Sequence, residues 1–153
     1  MAKRSQDVVP HLCVKDGKAA MAFYEKALGA TNVTVHTMPS GKVMHAEMTI
    51  GDSLIMLAEE FPEMGSALRS PQTLNGTACS LQVSVADTDA SFKRATEAGA
   101  KPLMPPADMF WGDRYAMIQD PFGHVWAVRT QKEEVTPEEL ERRSKAFFAG
   151  GGR

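Results

Sequence analysis

Apolar and polar positions recur at two periods along this chain, and the switches between them mark out its elements. Residues 8–14 alternate, which puts Val9, His11 and Cys13 on one face of a strand with Pro10 at its edge or start. From Ala20 the period lengthens. Ala20, Phe23, Tyr24, Ala27 and Leu28 follow the i, i+3, i+4, i+7, i+8 spacing of an amphipathic helix. Asp16 is placed to cap its start, and Gly29 to end it in a left-handed conformation. Strand-like runs at 32–38, 43–50 and 53–58 follow, separated by turns at 39–42 and at Gly51-Asp52. The first 60 residues thus predict the order β-α-β-β-β.

Residues 59–77 break this rhythm with Pro62, Gly65, Pro71 and Gly76, and so long a break predicts a linker, lid or hinge. The pattern then restarts. A strand is predicted at 78–85, then a helix over 87–98 capped by Asp87 and closed by Gly99, then a short strand at 101–104 running into Pro105-Pro106. A hairpin completes the second unit, with strands 113–119 and 124–130 around Asp120-Pro121-Phe122-Gly123. Proline brings its preset φ to this turn, and glycine the positive φ that a side chain resists. Gly29-Ala30 recurs as Gly99-Ala100, 70 residues on, and the run starting at Gly51 recurs at Phe122, 71 residues on. One such unit alone would leave a sheet face uncovered. The repeat therefore predicts an α+β fold of two βαβββ modules forming curved mixed sheets around a cavity. Its parts are a first module at 1–60, a connector at 61–77, a second module at 78–132 and a C-terminal helix and tail at 133–153, all in one structural domain. In the tail, Thr136, Pro137 and Glu139 make a capping box. Leu140, Phe147 and Phe148 give that helix an apolar side, which needs a docking surface on its own domain or on a second subunit.

Composition narrows the function classes. The net charge of −2 carries no basic footprint, so no nucleic-acid partner is expected. No apolar run approaches membrane-spanning length and the first residues lack a signal-peptide core, so a cytoplasmic protein away from membranes is expected. Cys13 and Cys79 form no disulfide framework and are expected as small, buried, reduced residues.

The local runs VKDGKAAMAFYEKALGA (14–30), HAEMTIGDSLIML (45–57) and WGDRYAMIQDPFGHVW (111–126) resemble the vicinal oxygen chelate superfamily. That superfamily includes glyoxalase I, bleomycin-resistance proteins and extradiol dioxygenases. The likeness runs from about residue 8 to 130, and with the tail TPEELERR it is similar to the PhnB-like branch. The resemblance implies a homodimer and a site between sheets. In metal enzymes of the superfamily the ligands lie on the first and last strand of each half, which here means Val9, Met56, Ser80 and Ala127. None is a histidine or carboxylate, so no set of donors is present for a divalent ion. A shift of register would bring His11 onto the first position, but no shift supplies the others.

Other polar residues are candidates for a site. His45 and Glu47 share a strand face; with His11 and His124 they either form a second metal site or hydrogen-bond within the sheet, His124 then capping its turn through Asp120. Arg114 either forms a surface salt bridge or meets an anionic group of a ligand. Trp111 is placed to stack on a flat ligand, and the abundant methionines suit a cavity tolerant of apolar molecules. The expectation is a metal-independent binding protein without a cofactor. It would hold an apolar or aromatic small-molecule ligand between the sheets of a homodimer, with contacts from His45, Glu47, Trp111, Arg114, Tyr115, His124 and Trp126. The alternative is a metal-dependent lyase, isomerase or dioxygenase with a non-standard His/Glu site.

Overall fold

A computed structural model describes residues 6–151 of the chain. The first module contains β1 (His11–Val14), α1 (Gly17–Leu28), β2 (Thr31–Thr37), β3 (Val43–Ile50) and β4 (Ser53–Glu59). The connector carries a single 3-10 turn and the short α2 (Pro71–Leu74). The second module contains β5 (Ser80–Ser84), α3 (Thr88–Glu97), β6 (Lys101–Asp108), β7 (Asp113–Gln119) and β8 (Val125–Gln131), and α4 (Pro137–Ala149) follows. The helix boundaries fall where capping chemistry puts them. Asp16 accepts from the Ala19 amide, Asp87 from that of Ala90 and Thr136 from that of Glu139, while Gly29 ends α1 at φ 67°.

Each module folds into its own four-stranded sheet, in the orders β1-β4-β3-β2 and β5-β8-β7-β6. The first strand of each runs parallel to the last, and the remaining pairs are antiparallel. One element departs from the predicted pattern. β6 passes straight through Pro105 and Pro106 to Asp108, where the sequence pattern predicts a strand ending at Met104. β6 is an edge strand, so prolines cost it few ladder bonds, and its pairing with β7 is shifted in register at two places.

The two sheets share one core through their helices. α1 packs on α3, and between them Tyr24, Leu28 and Ala95 join Ala46, Met48 and Leu57 of the first sheet to Ile118 and Trp126 of the second. The opposite face of each sheet is open. Cys13 is buried as expected, but Cys79 is exposed, lying in the chain that leads into β5.

Asp120, at the start of the β7–β8 turn, ties the modules together. It is 3% exposed, and its carboxyl group accepts four hydrogen bonds. Oδ1 takes the amides of Phe122 and His124 at 2.9 Å each. Oδ2 takes the Tyr24 hydroxyl of α1 at 2.6 Å and the indole of Trp126 at 2.9 Å. Burial first, and then the Asp120 charge, push the Tyr24 hydroxyl well above its usual pKa, so it remains a donor. Phe23, Tyr24, Phe122 and Trp126 pack as tilted and edge-to-face aromatics around this carboxyl group. The turn itself needs Gly123. Its φ is 93°, and an added Cβ would lie 2.7 Å from Cβ of Pro71 at the start of α2. Two further bonds cross between modules. His124 Nε2 donates to the Cys13 carbonyl at 2.9 Å, and Arg94 Nε to the Ala27 carbonyl at 3.1 Å.

The connector is held by a carboxylate as well. Glu60 accepts the Ser70 amide at 2.7 Å and the Thr73 hydroxyl at 2.6 Å, at the start of α2. These bonds, led by those from Ser70, lower its pKa from 4.5 to about 2. α4, by contrast, has no buried residue. Arg143 anchors it through Glu133, Glu139 and the Phe110 carbonyl, and Phe147 meets Phe110 at 5.2 Å, while Phe148 is 68% exposed.

Tyr24→Phe removes one hydrogen bond to a charged acceptor and should cost about 1–3 kcal/mol in urea unfolding. Asp120→Ala leaves two side-chain donors and two amides without acceptors and should cost clearly more, ~4 kcal/mol. Equal midpoints for the two variants would show that the network does not join the modules. The pKa of Glu60 is depressed on folding, so its contribution is present above about 4.5 and lost as pH falls toward about 2. Glu60→Gln should therefore flatten the decline of the unfolding midpoint across that window.

Candidate functional site

Strand alternation sends the small and branched apolar residues of β3 and β4 toward α1 and leaves the other set on the open face. On that face His11, Met56, Glu47 and Thr34 lie in one row across the sheet, and His45 pairs with His36 in the next. His45 Nε2 lies 3.1 Å from Oε1 of Glu47, both side chains being about one-third exposed. The His11 ring meets that of His45 edge-on at 5.9 Å, and His36 stacks on it at 6.4 Å. Burial, and then the neighbouring His45, lower the His11 pKa, which favours a neutral ring. His11, His45 and Glu47 thus converge. His36 joins them unforeseen by the sequence reading, because irregular pairing between β2 and β3 hides its register.

The open face of the second sheet carries the matching row Gln82, Ala127, Met117 and Met104. Beside it Tyr115 pairs with Arg129. Trp111 stands half-buried at the end of β7, edge-on to Tyr115 at 5.6 Å, and donates from Nε1 to Asp113 at 3.1 Å. Asp113 also holds Arg129, whose Nη2 donates to Oδ1 at 2.9 Å. The Arg129 Nε lies 2.9 Å from Oδ2 yet is misaligned for a hydrogen bond, so the contact is ionic.

Three other candidates lie elsewhere. Arg114 points to the helix side, forking onto Asp89 of α3 at 2.8 Å and reaching Asp108 at 3.3 Å, which is the surface salt-bridge arrangement. His124 and Trp126 are in the core: His124 supports its turn through its amide on Asp120 and spends its ring on the Cys13 carbonyl. Trp126, 2% exposed, meets at its edge a cleft of about 380 Å³ between the modules, lined also by Ile50, Ile55, Leu81 and Val83. Neither His45 nor Tyr115 lines that cleft.

The donor set does not fit a resident metal ion. Level with Met56 in the first sheet stands His11, and level with Ala127 in the second stands Gln82. Methionine and alanine at the last-strand positions leave too few nitrogen or carboxylate donors. Among the described residues no three His, Cys, Asp or Glu side chains are grouped to hold an ion. Among them, too, no helix is long and apolar enough to cross a membrane.

Known proteins place this architecture. An uncharacterized protein of Mycobacterium tuberculosis is 38% identical over 133 residues, covering 86% of this chain and 78% of that protein. A putative glyoxylase, CFP32 of Mycobacterium bovis, is 27% identical over 109 residues, but these span only 38% of its length. Among solved structures, TioX from Micromonospora superposes with a TM-score of 0.63 at 24% identity, covering 83% of this chain and 99% of TioX. The fosfomycin resistance protein FosX of Listeria monocytogenes superposes at 0.61 with 17% identity, covering 90% and 99% of the two chains. At such identities these structures establish the fold alone. The family model of the Glyoxalase/Bleomycin resistance protein/Dioxygenase superfamily matches residues 7–128, and the chain belongs to that superfamily.

Proposed function

We propose that this protein, of the PhnB-like branch, is a metal-independent small-molecule binding protein of the cytoplasm that works as a homodimer. The open face of the first sheet in one copy meets the open face of the second sheet in the other, and a flat apolar or aromatic ligand lies between them. The observation that carries this reading is how the half-exposed residues are distributed. The His45–Glu47 pair with Met56 lies on one open face, and Trp111, Tyr115 and Met117 lie on the other. Each face alone has the adaptable methionine and aromatic lining of a ligand site but only one wall of it. A second copy supplies the missing wall twice over, by symmetry. His45, Glu47, Trp111 and Tyr115 are then the ligand contacts, and Arg114, His124 and Trp126 support the scaffold.

The competing reading is a metal-dependent lyase, isomerase or dioxygenase on the neighbouring His11, His36, His45 and Glu47, which would have to draw together to hold an ion. Metal content separates the two. Protein purified without added metal should hold under about a tenth of an equivalent of zinc, nickel, iron or manganese by elemental analysis. It should sediment at twice the mass of the chain. Flat aromatic compounds should quench its fluorescence through Trp111, and Trp111→Phe should abolish the quenching, since Trp126 is buried. A stoichiometric metal, or a monomer that no aromatic compound quenches, overturns the binding reading.

A further inference from the structure

We propose that Arg129 is the hydrogen-bond donor of the ligand wall on the second sheet, and that the site takes flat aromatic ligands carrying a neutral carbonyl oxygen. The proposal rests on the binding reading above and names its ligand class.

Strand register brings Arg129 to the middle of the open face. It lies on β8, between β5 and β7, level with Ser84 on one side and Tyr115 on the other. Alternation gives it the same side as Ala127, which belongs to the open face. Its side chain is 23% exposed and that of Asp113 10%, so the pair is largely withdrawn from water. Asp113 is the positioning residue. Its Oδ1 accepts from Arg129 Nη2 at 2.9 Å and its Oδ2 from Trp111 Nε1 at 3.1 Å, so one carboxylate aligns a guanidinium and an indole. The turn behind them is closed by backbone bonds. The Asp113 carbonyl accepts from the Met109 amide at 2.8 Å, and that of Gly112 from the Lys132 and Glu133 amides at 2.9 and 3.2 Å. Gly112 has a φ of 98°, and an added Cβ would lie 2.7 Å from the Glu133 carbonyl oxygen. The wall is thus arranged before any ligand arrives.

The donors left over define the ligand. A guanidinium carries five N–H bonds and accepts none. Among the described residues Arg129 hydrogen-bonds only to Asp113, through Nη2, with Nε in ionic contact. Nη1 has no partner among them, and unlike Nε it is not sealed from solvent. It is free to donate to an oxygen placed on the open face beside Tyr115. Arg114, the cation the sequence offered for such a role, is committed to Asp89 and Asp108 on the helix side. Asp113 already matches the charge of Arg129, so a ligand carboxylate would put two anions on one cation in a partly buried place. A neutral carbonyl gains a charge-assisted bond without that cost. A hydrocarbon of the same shape displaces water from Nη1 and returns no bond. An aryl carbonyl is coplanar with its ring, so its oxygen meets Nη1 at the edge while the face stays free for aromatic contact.

Three probes test this on the full-length protein by calorimetric titration at about pH 7.5, where a benzoic acid is ionised. They are para-chloroacetophenone, its isopropenyl analogue with a methylene in place of the carbonyl oxygen, and para-chlorobenzoate. The ketone should bind about ten-fold more tightly than the alkene, the worth of one well-made hydrogen bond, and the benzoate more weakly than the ketone. Arg129→Met alone strands the Asp113 charge, so it is paired with Asp113→Asn, which removes both charges and keeps an acceptor for Trp111. That double variant should bring the ketone to within about two-fold of the alkene. In the wild type the ¹⁵N resonance of Arg129 Nη1 should move with ketone and not with alkene. In Asp113→Asn alone that response should weaken, which a merely structural role for Asp113 would not produce. Equal affinity for ketone and alkene in the wild type, a ketone preference that survives the double variant, or tightest binding of the benzoate overturns the proposal and leaves the binding reading standing. Failure of all three probes to bind overturns the binding reading and the proposal with it.

Discussion

The buried carboxyl group of Asp120 is the constraint on which the two-module arrangement depends. It takes a hydroxyl from the first module, an indole from the second and two amides of its own turn, so one side chain fixes a hairpin and a helix at once. Its cost is the desolvation of a charged group, offset only because every lone pair it presents meets a donor. The aromatic residues around it keep water out and hold those donors in place. The β7–β8 turn, the start of α2 against Gly123, and β1 through the His124–Cys13 bond then fall into fixed positions. Phe122, His124 and Trp126 are thus scaffold.

With the helices joined back to back in a shared core, the two sheets turn their other faces outward. This decides what kind of site the chain can build. His45 and Glu47 sit on one face, Trp111 and Tyr115 on the other, and the cleft between the modules touches neither pair. Large apolar side chains, Val35, Met44, Leu103 and Phe148 among them, are also left exposed. The last-strand positions, Met56 and Ala127, remove the donors that a metal enzyme of this fold uses. What remains on the first face is the His45–Glu47 pair with His11 and His36 beside it.

The elements were legible in the sequence because their signals are local. Helix caps at Asp16, Asp87 and Thr136 depend on a side chain within three residues of the amide it accepts from. Strand faces depend on alternation, which is why β3 and β7 have the bounds predicted for them. β6 escaped because proline is a reliable stop only for a strand paired on both sides, and edge position is a property of the sheet. Within the site, His45 and Glu47 were readable as partners from their i, i+2 spacing. His36 was not, since its meeting with His45 depends on a shifted register across a hairpin.

The sequence by itself determined the fold class, the doubled module, the superfamily resemblance and the chemistry of the last-strand positions, all of which rest on residue type and spacing along the chain. Only the tertiary structure decided which aromatic and polar residues became core and which remained available. Arg114 differs from Tyr115 by one position, yet one is committed to α3 and the other stands on an open face beside Trp111. Alternation assigns them opposite faces, but only packing says which face is covered. His124 and Trp126 were taken into the core by partners in the first module, His124 by the Cys13 carbonyl 111 residues away in the chain and Trp126 by the ring of Tyr24. A contact over such a separation leaves no periodic trace, because it is set by how one module is rotated against the other.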